Sequence, residues 1–366
     1  MRNTKIALAV LALVASTAAM AEGANVYGHI DASVSKQTNQ NAQFGEGNWD
    51  SSVFGVKGSE GLETGGMKAT YNLEVGYNSG NGAMANGGTV FGVAPNPVFN
   101  RAANVGLEGD FGSVKLGLQI SPMIVAQLAG AATGNQSFNV NMLAMAGSVA
   151  STLNANSSAA GTIGFSTGGF FIPNAVSYST PSMSGFQATA LTQLAAAGST
   201  TTEGQEYSAY TTSFVSGDVN VSAGYETKKV ALAASSFGGL NISAGTTESK
   251  TYTVAGGYQM GAARIGGGYI SVDTVGNTDK LNTYYLSLGY DVASNTNLSL
   301  NYARNNATVA NSITSLGAKY GLSKRTYAYA TIARADGASA LYSSAATPSD
   351  GSTAVTGYGV GVGHSF

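Results

Sequence analysis

The residues that could support catalysis or bind a metal are few in this chain and lie far apart. The string Gly164-Phe-Ser-Thr-Gly168 matches the G-x-S-x-G pattern, in which a serine nucleophile stands on a sharp turn between a strand and a helix. This chemistry needs a histidine base, and the single histidine after the serine is His364, near the end of the chain. With His29 as the other histidine and no cysteine, ligands for a metal are scarce. The sequence therefore predicts no enzyme, no metal site and no cofactor.

The composition is unlike that of a soluble globular protein. Charged residues make up 10% of the chain, whereas a typical soluble domain has about 25%. The hydrophobic fraction of 43% is ordinary but dispersed, which argues against a bundle of membrane-spanning helices. With 17 basic and 19 acidic residues, the chain has no electrostatic drive toward nucleic acid. Strands that alternate between lipid and water would account for this composition.

The N-terminus has the three parts of a secretory signal peptide. Two basic residues precede the apolar run 6–15, and Ala19-Met-Ala21 forms a small-x-small cleavage site. The apolar run is shorter than the roughly 20 residues that a membrane-spanning helix needs. We expect 1–21 to be a cleaved signal peptide and 22–366 to form one domain.

After residue 22 the chain is a succession of alternating segments about ten residues long, the length of a membrane-crossing β-strand. In one such segment the apolar positions are Ala69, Tyr71, Leu73, Val75 and Tyr77, and the positions between them are Lys68, Thr70, Asn72, Glu74 and Gly76. Eighteen candidate strands can be counted, including 219–226, 229–237, 240–248 and 251–260. Tight turns alternate with long polar loops, as in an outer-membrane barrel.

The alternative fold is a soluble sandwich, propeller or β-solenoid built from similar short strands. Such folds bury their apolar residues and carry a charged exterior. In this chain the polar strand faces consist mostly of Gly, Ser, Thr, Asn and Gln, and aromatic residues cluster near the strand ends. These features favour the all-β, transmembrane antiparallel barrel.

Six short stretches, spread over the chain, share their order and spacing with a known family. They are Val26-Tyr-Gly-His-Ile-Asp31, Phe54-Gly-Val-Lys-Gly-Ser-Glu60, the segment 101–117, the segment 174–181, Leu322-Ser-Lys-Arg-Thr326 and Gly361-Val-Gly-His-Ser-Phe366. In these stretches the chain resembles the Gram-negative general porins of the beta-proteobacterial, trimeric type. The resemblance implies a homotrimer surrounded by the lipids of the outer membrane, with 16 strands rather than 18 in each barrel.

The resemblance also implies two special segments. A third external loop should fold into the lumen as a constriction, and the longest connection, 121–173, lies where that loop is expected. Within it, Ser121-Pro122 is a plausible helix start, with serine as the N-cap and proline in the first turn. Phe366 resembles the terminal aromatic residue that directs such porins to the barrel-assembly machinery.

The candidate pore residues are charged positions predicted to face the lumen, because charges in a spanning strand avoid desolvation only when they face water. Alternation assigns Asp31, Lys57, Glu74 and Lys115 to that face, and Arg101 matches a family position that lines the lumen. The loop 121–173 has no charged residue, so Asn139 is its candidate at the constriction. A constriction with an uncharged loop predicts weak discrimination between anions and cations.

The predicted function is passive diffusion of small hydrophilic solutes and ions through a water-filled channel. A barrel of 16–18 strands is wide enough to leave such a lumen. The alternative is a substrate-selective channel of the eighteen-stranded kind, with a track of aromatic side chains along its lumen. A barrel adhesin or enzyme is the third possibility, but no acid, base and nucleophile cluster at a loop rim.

Overall fold

The computed structural model describes most of the chain outside the N-terminus and several loops. The described residues are 23–38, 41–46, 49–63, 65–84, 97–132, 170–194, 205–232, 235–237, 240–242, 245–274, 280–306, 312–336 and 354–366. The predicted signal peptide 1–21 and the candidate Asn139 lie outside them.

The described residues form nineteen strands and one short helix, α1 (Pro122–Leu128). The strands are β1 (Asn25–Gln37), β2 (Gln43–Glu46), β3 (Val53–Gly61), β4 (Lys68–Gly76), β5 (Ala102–Gly109), β6 (Gly112–Ile120), β7 (Phe171–Ser179), β8 (Phe186–Gln193), β9 (Gln205–Ser216), β10 (Val219–Leu232), β11 (Ser235–Phe237), β12 (Leu240–Ile242), β13 (Gly245–Met260), β14 (Ala263–Thr274), β15 (Leu281–Ala293), β16 (Thr296–Asn305), β17 (Ser312–Gly321), β18 (Thr326–Asp336) and β19 (Ala354–Ser365). The described part of the chain contains no helix long and apolar enough to cross a bilayer.

Sixteen of the strands form a closed antiparallel barrel, in which each strand pairs with its neighbours and β1 pairs with β19 at the seam. The barrel contains every strand except β2, β11 and β12. Strand β2 pairs with β1 alone, and β11 pairs with β12 in a separate hairpin. Turns such as 110–111, 217–218 and 261–262 are short and share one rim, which in outer-membrane barrels faces the periplasm. The predicted all-β barrel is confirmed.

The barrel has sixteen strands, the lower end of the expected range of 16–18, because the candidate segments 229–237 and 240–248 do not cross the wall as separate strands and are divided between β10, the hairpin β11–β12 and β13. Strand β10 runs without interruption through 219–226 and on to Leu232, and β13 already begins at Gly245. The sequence prediction ended the first strand at the charged run 226–229. In the barrel these charges need no turn, because Glu226 and Lys228 are buried on the inner face while Lys229 pairs with Glu206. Sixteen strands therefore complete the barrel.

The two faces of the strands differ as the alternation predicts. On β16 the exposed side chains are Leu298, Leu300 and Tyr302, and the side chains between them, Asn297, Ser299 and Asn301, are buried toward the inside. Successive side chains of a strand point to opposite faces, so each strand presents apolar groups to lipid and polar groups to the lumen. The inner face of the wall is therefore largely polar, and apolar side chains such as Met123 and Ile124 are buried where the long loop packs against it.

Candidate pore constriction

The long loop after β6 enters the lumen as helix α1. The helix begins at the predicted N-cap, Ser121. The Ser121 hydroxyl accepts a hydrogen bond from the Met123 backbone N–H at 3.1 Å, and Pro122 occupies the first turn, where a missing N–H costs nothing. The same hydroxyl lies 2.6 Å from the Tyr207 hydroxyl, which donates to the Glu226 carboxylate at 2.7 Å. The sequence thus predicted the helix start correctly, while its anchor to β9 and β10 comes from distant residues.

Helix α1 then follows the inner wall across β9, β10 and β13. Glycines on the wall make room for it: a Cβ added at Gly224 would lie 2.6 Å from the Met123 sulfur. A Cβ at Gly266 would overlap the carbonyl oxygen of Gly130, just beyond the helix. The glycine run 266–268 therefore seats the loop against β14, a close backbone approach that larger residues would prevent.

A bulge between β6 and β7 bends the wall where the loop leaves it. The register shifts between Gly117 and Gln119, with Gly117 at a φ of 116° and Asn174 opposite at 53°. The Gln119 amide fills the gap: it accepts a hydrogen bond from Ser177 at 2.6 Å and donates to the Ala175 carbonyl at 3.5 Å. Bulges of this kind redirect a strand, and this one turns the chain toward the lumen.

Four of the predicted pore residues line one recess of about 550 Å³ on the wall made by β3–β6. Lys57, Glu74 and Lys115 come from β3, β4 and β6, and Arg101 immediately precedes β5. They meet because the antiparallel pairing of these strands brings inward-facing positions side by side. Phe171 lines the same recess, at the point where the long loop returns to the wall.

The charge of Arg101 is balanced inside the recess. Its Nε lies 2.5 Å from Oε1 of Glu74, and its guanidinium carbon lies 5.0 Å from the centre of the Phe171 ring. The Tyr27 hydroxyl donates to the other oxygen of Glu74 at 2.6 Å. Both partners of the ion pair are mostly buried, so their charges largely cancel at the lumen.

The two lysines give this wall its net positive charge, because the other carboxylate that lines the recess, Glu108, pairs with Lys68 at 3.3 Å. Within the described residues neither Lys57 nor Lys115 forms an ion pair, and the Lys57 ammonium lies 4.7 Å from the centre of the Tyr27 ring. Their ammonium groups therefore remain available to solutes in the recess.

A second part of the chain, residues 49–52, also enters the lumen, and we refer to it as the inward segment. Trp49 is 1% exposed, with its ring 5.3 Å from the Tyr329 ring and 5.9 Å from the Lys319 ammonium. The Asp50 backbone N–H donates to one Asp31 oxygen at 3.0 Å, and the Tyr329 hydroxyl donates to the other at 2.6 Å. Asp50 itself lies between strands, where burial and the Asp31 carboxylate raise its pKa to about 6. Its carboxylate is therefore ionised at pH 7.

Comparison with known proteins places this barrel in a family. A model described as Gram-negative porin matches residues 7–340. The chain belongs to the Gram-negative porin family. A curated relative, outer membrane porin protein 32 of Delftia acidovorans, is 29% identical to this porin over 352 residues, covering 91% of this chain and 89% of the relative. The protein is thus a channel of the outer membrane.

Solved porin structures share the fold of this porin. The anion-selective porin from Comamonas acidovorans is 24% identical, with a TM-score of 0.72 over 94% of this chain and 99% of that chain. OmpT of Vibrio cholerae in its trimer form is 16% identical, with a TM-score of 0.65 over 94% of this chain and 99% of that chain. At these identities the likeness concerns the architecture alone.

Two predicted site residues of this porin lie away from the recess. Asp31 is fully buried beneath the inward segment and is not among the residues that line the recess. Phe366 lies at the seam, where its ring covers Gly28 of β1.

Sequence reasoning missed Trp49, Asp50 and Lys319 as lumen residues of this porin. The available signal was that Trp49 is the single tryptophan of the chain and stands beside an acid in a loop otherwise rich in Gly, Asn and Gln. A large aromatic residue in such a loop needs a packing partner, and here the partners come from β17 and β18.

Proposed function

We propose that this porin is a non-catalytic diffusion channel for small hydrophilic solutes and ions, with a weak preference between anions and cations. The supporting observation is the distribution of charge in the described lumen. Lys57 and Lys115 make the β3–β6 wall positive and Arg101 is balanced by Glu74, while Lys319 and Asp50 add one charge of each sign at residues 49–52 and the strand beside them. Charges of both signs therefore lie along the lumen, and such a lumen stabilises both anions and cations.

The family offers a contrast that sharpens this proposal. The Comamonas porin is described as anion-selective. In this chain the 121–173 loop carries no charge and the recess keeps two lysines without an ion pair among the described residues. These features support a smaller preference between anions and cations than a strongly charged constriction would give.

The proposal includes the biogenesis and assembly of the channel. Residues 1–21 would act as a cleaved signal peptide, Phe366 would contribute to delivery to the barrel-assembly machinery, and three copies would form a homotrimer. The trimer form of the Vibrio OmpT structure supports the last point by analogy of fold.

A planar-bilayer measurement in a tenfold salt gradient tests the ion preference. We expect a reversal potential well below the roughly 59 mV of a perfectly selective channel for a monovalent ion. Lys115→Glu and Lys57→Glu should each shift the reversal potential toward cation selectivity, because fixed charges act on ions within about 10 Å at 0.1 M salt. Lys324→Glu, on the exposed turn 322–325, is the matched control and should behave like the wild type.

Two results would contradict the proposal. Absence of stepwise conductance would remove the channel function, and a strongly selective wild type would remove the weak preference. If both lysine variants match the wild type while conductance is normal, the recess does not lie on the ion path.

A further inference from the structure

Strands β2 and β3 occupy a single place in the barrel wall, and an insertion separates them. Both pair with the same side of β1: β2 with 32–35 and β3 with 25–29. Two residues of β1, Ile30 and Asp31, lie between these pairings, whereas six residues of the chain lie between Glu46 and Val53. The chain therefore has four additional residues at this point. Because four is an even number, the side chains of β2 and β3 keep the same alternation of inward and outward directions across the insertion.

The insertion is packed in place, because the wall beside it is built to receive Trp49. Strand β19 presents glycines to the lumen, and a Cβ at Gly361 or Gly363 would overlap the ring of Tyr329 or Tyr327. These two tyrosine rings lie over the glycines, and the Trp49 ring packs on them, 5.3 Å from the Tyr329 ring and 6.5 Å from the Tyr327 ring between ring centres. A Cβ added at Gly317 of β17 would lie 3.0 Å from the same tryptophan ring.

The packing of Trp49 fixes the position of the acid that follows it. The Asp50 backbone N–H donates a hydrogen bond to the Asp31 carboxylate, and the Ser52 hydroxyl donates one to the Asp31 backbone carbonyl at 3.3 Å. The Asp50 carboxylate is close enough to Lys319 and to Arg101 of the recess for both cations to stabilise its charged form. Asp50 thus stands between the aromatic wall of β17–β19 and the positive wall of β3–β6.

The long loop after β6 cannot provide a negative charge to this region, since 121–173 contains no acidic residue. We propose that the inward segment is a second lip of the constriction, meaning a second part of the chain that narrows the lumen, and that Asp50 supplies an acidic group of the pore beside the wall that carries Lys57 and Lys115. This inference rests on the channel function proposed above. It assigns to the inward segment an acidic residue that determines specificity, which the loop 121–173 lacks.

The test compares single channels of the wild type, Asp50→Asn and the matched control Asp218→Asn. Asp218 carries the same charge but is exposed on the short turn 217–218. In a salt gradient Asp50→Asn should shift the reversal potential toward anions, whereas Asp218→Asn should leave it at the wild-type value. The asparagine is nearly isosteric and keeps the backbone N–H that bonds Asp31, so the lip should remain folded.

Deletion of 49–52 tests the lip itself. Because four residues are removed, β2 and β3 should join without reversing their faces, and single-channel conductance should rise as the lumen widens. An Asp50→Asn channel identical to the wild type in reversal potential, or a deletion channel with unchanged conductance, would overturn the inference. In both cases the wild type still conducts, so these outcomes are distinct from failure of the channel function, in which no protein conducts.

Discussion

At the residue scale, small residues on the inner wall decide where large ones can lie. The glycines of β19 leave room for two tyrosine rings, and Trp49 packs on those rings, so two layers of aromatic side chains depend on the glycines beneath them. The alternating glycines of the last strand are therefore a packing requirement of the lumen.

We predict that Gly361→Ala destabilises the barrel and loosens Trp49. The new Cβ would overlap the Tyr329 ring and lie 2.7 Å from the Ala32 carbonyl oxygen, an overpacking that costs about 1–3 kcal/mol. The folded band on unheated SDS gels should be lost at a lower temperature, and Trp49 fluorescence should shift to the red. Gly61→Ala is the control, because a Cβ there contacts nothing within 4 Å. Equal heat stability of the two variants would show that the tyrosine layer is not tightly held.

At the element scale, the seam between β1 and β19 closes the barrel, and Phe366 lies at its end. The backbones of Gly28 and Phe366 exchange two hydrogen bonds of 3.0 Å, and a Cβ at Gly28 would overlap the aromatic ring. Phe366 thus shields the last paired residues of a seam that would otherwise end in free strand edges.

Deletion of Phe366 should reduce assembled, heat-modifiable barrel and increase aggregated protein, because unpaired strand edges aggregate. Gly28→Val keeps Phe366 but occupies the place of its ring. A loss in both variants would indicate a role in closing the seam, and a loss in the deletion alone would indicate a role in delivery. Normal assembly of both variants, measured as the folded band in outer-membrane fractions, would exclude either role.

The sequence predicted elements well where one local rule determines them. Alternation located the spanning strands because lipid and water impose opposite demands on successive residues, and Ser121-Pro122 located α1 because capping is local. The candidate strands were divided too finely at 226–229, where a run of charged residues resembles a turn but lies within β10. The inward segment could not be predicted, since its position depends on Gly317, Tyr327 and Tyr329, which are distant in sequence.

At the scale of the whole molecule, the described lumen has three kinds of wall. The loop after β6 covers the side from β9 to β14, the inward segment covers β17–β19, and the charged recess lies on β3–β6 between them. Of the candidate residues, alternation assigned Asp31, Lys57, Glu74 and Lys115 to the lumen and the family resemblance added Arg101, and all of these except Asp31 line the recess. The sequence could not show that Glu74 balances Arg101, because that pairing depends on rotamers and on the register of β4 with β5.

The outer surface of the barrel leads to the last prediction, which concerns assembly. Exposed apolar side chains such as Val34, Leu286 and Val360 suit lipid, and some of this surface would suit a second copy of the same chain equally well. Identical subunits usually cover such an apolar surface by assembling with closed rotational symmetry. The trimer form of OmpT suggests that the number of subunits is three. We therefore expect a species with three times the protomer mass by light scattering in mild detergent, resistant to SDS until heated. Monomers in several detergents would contradict the homotrimer.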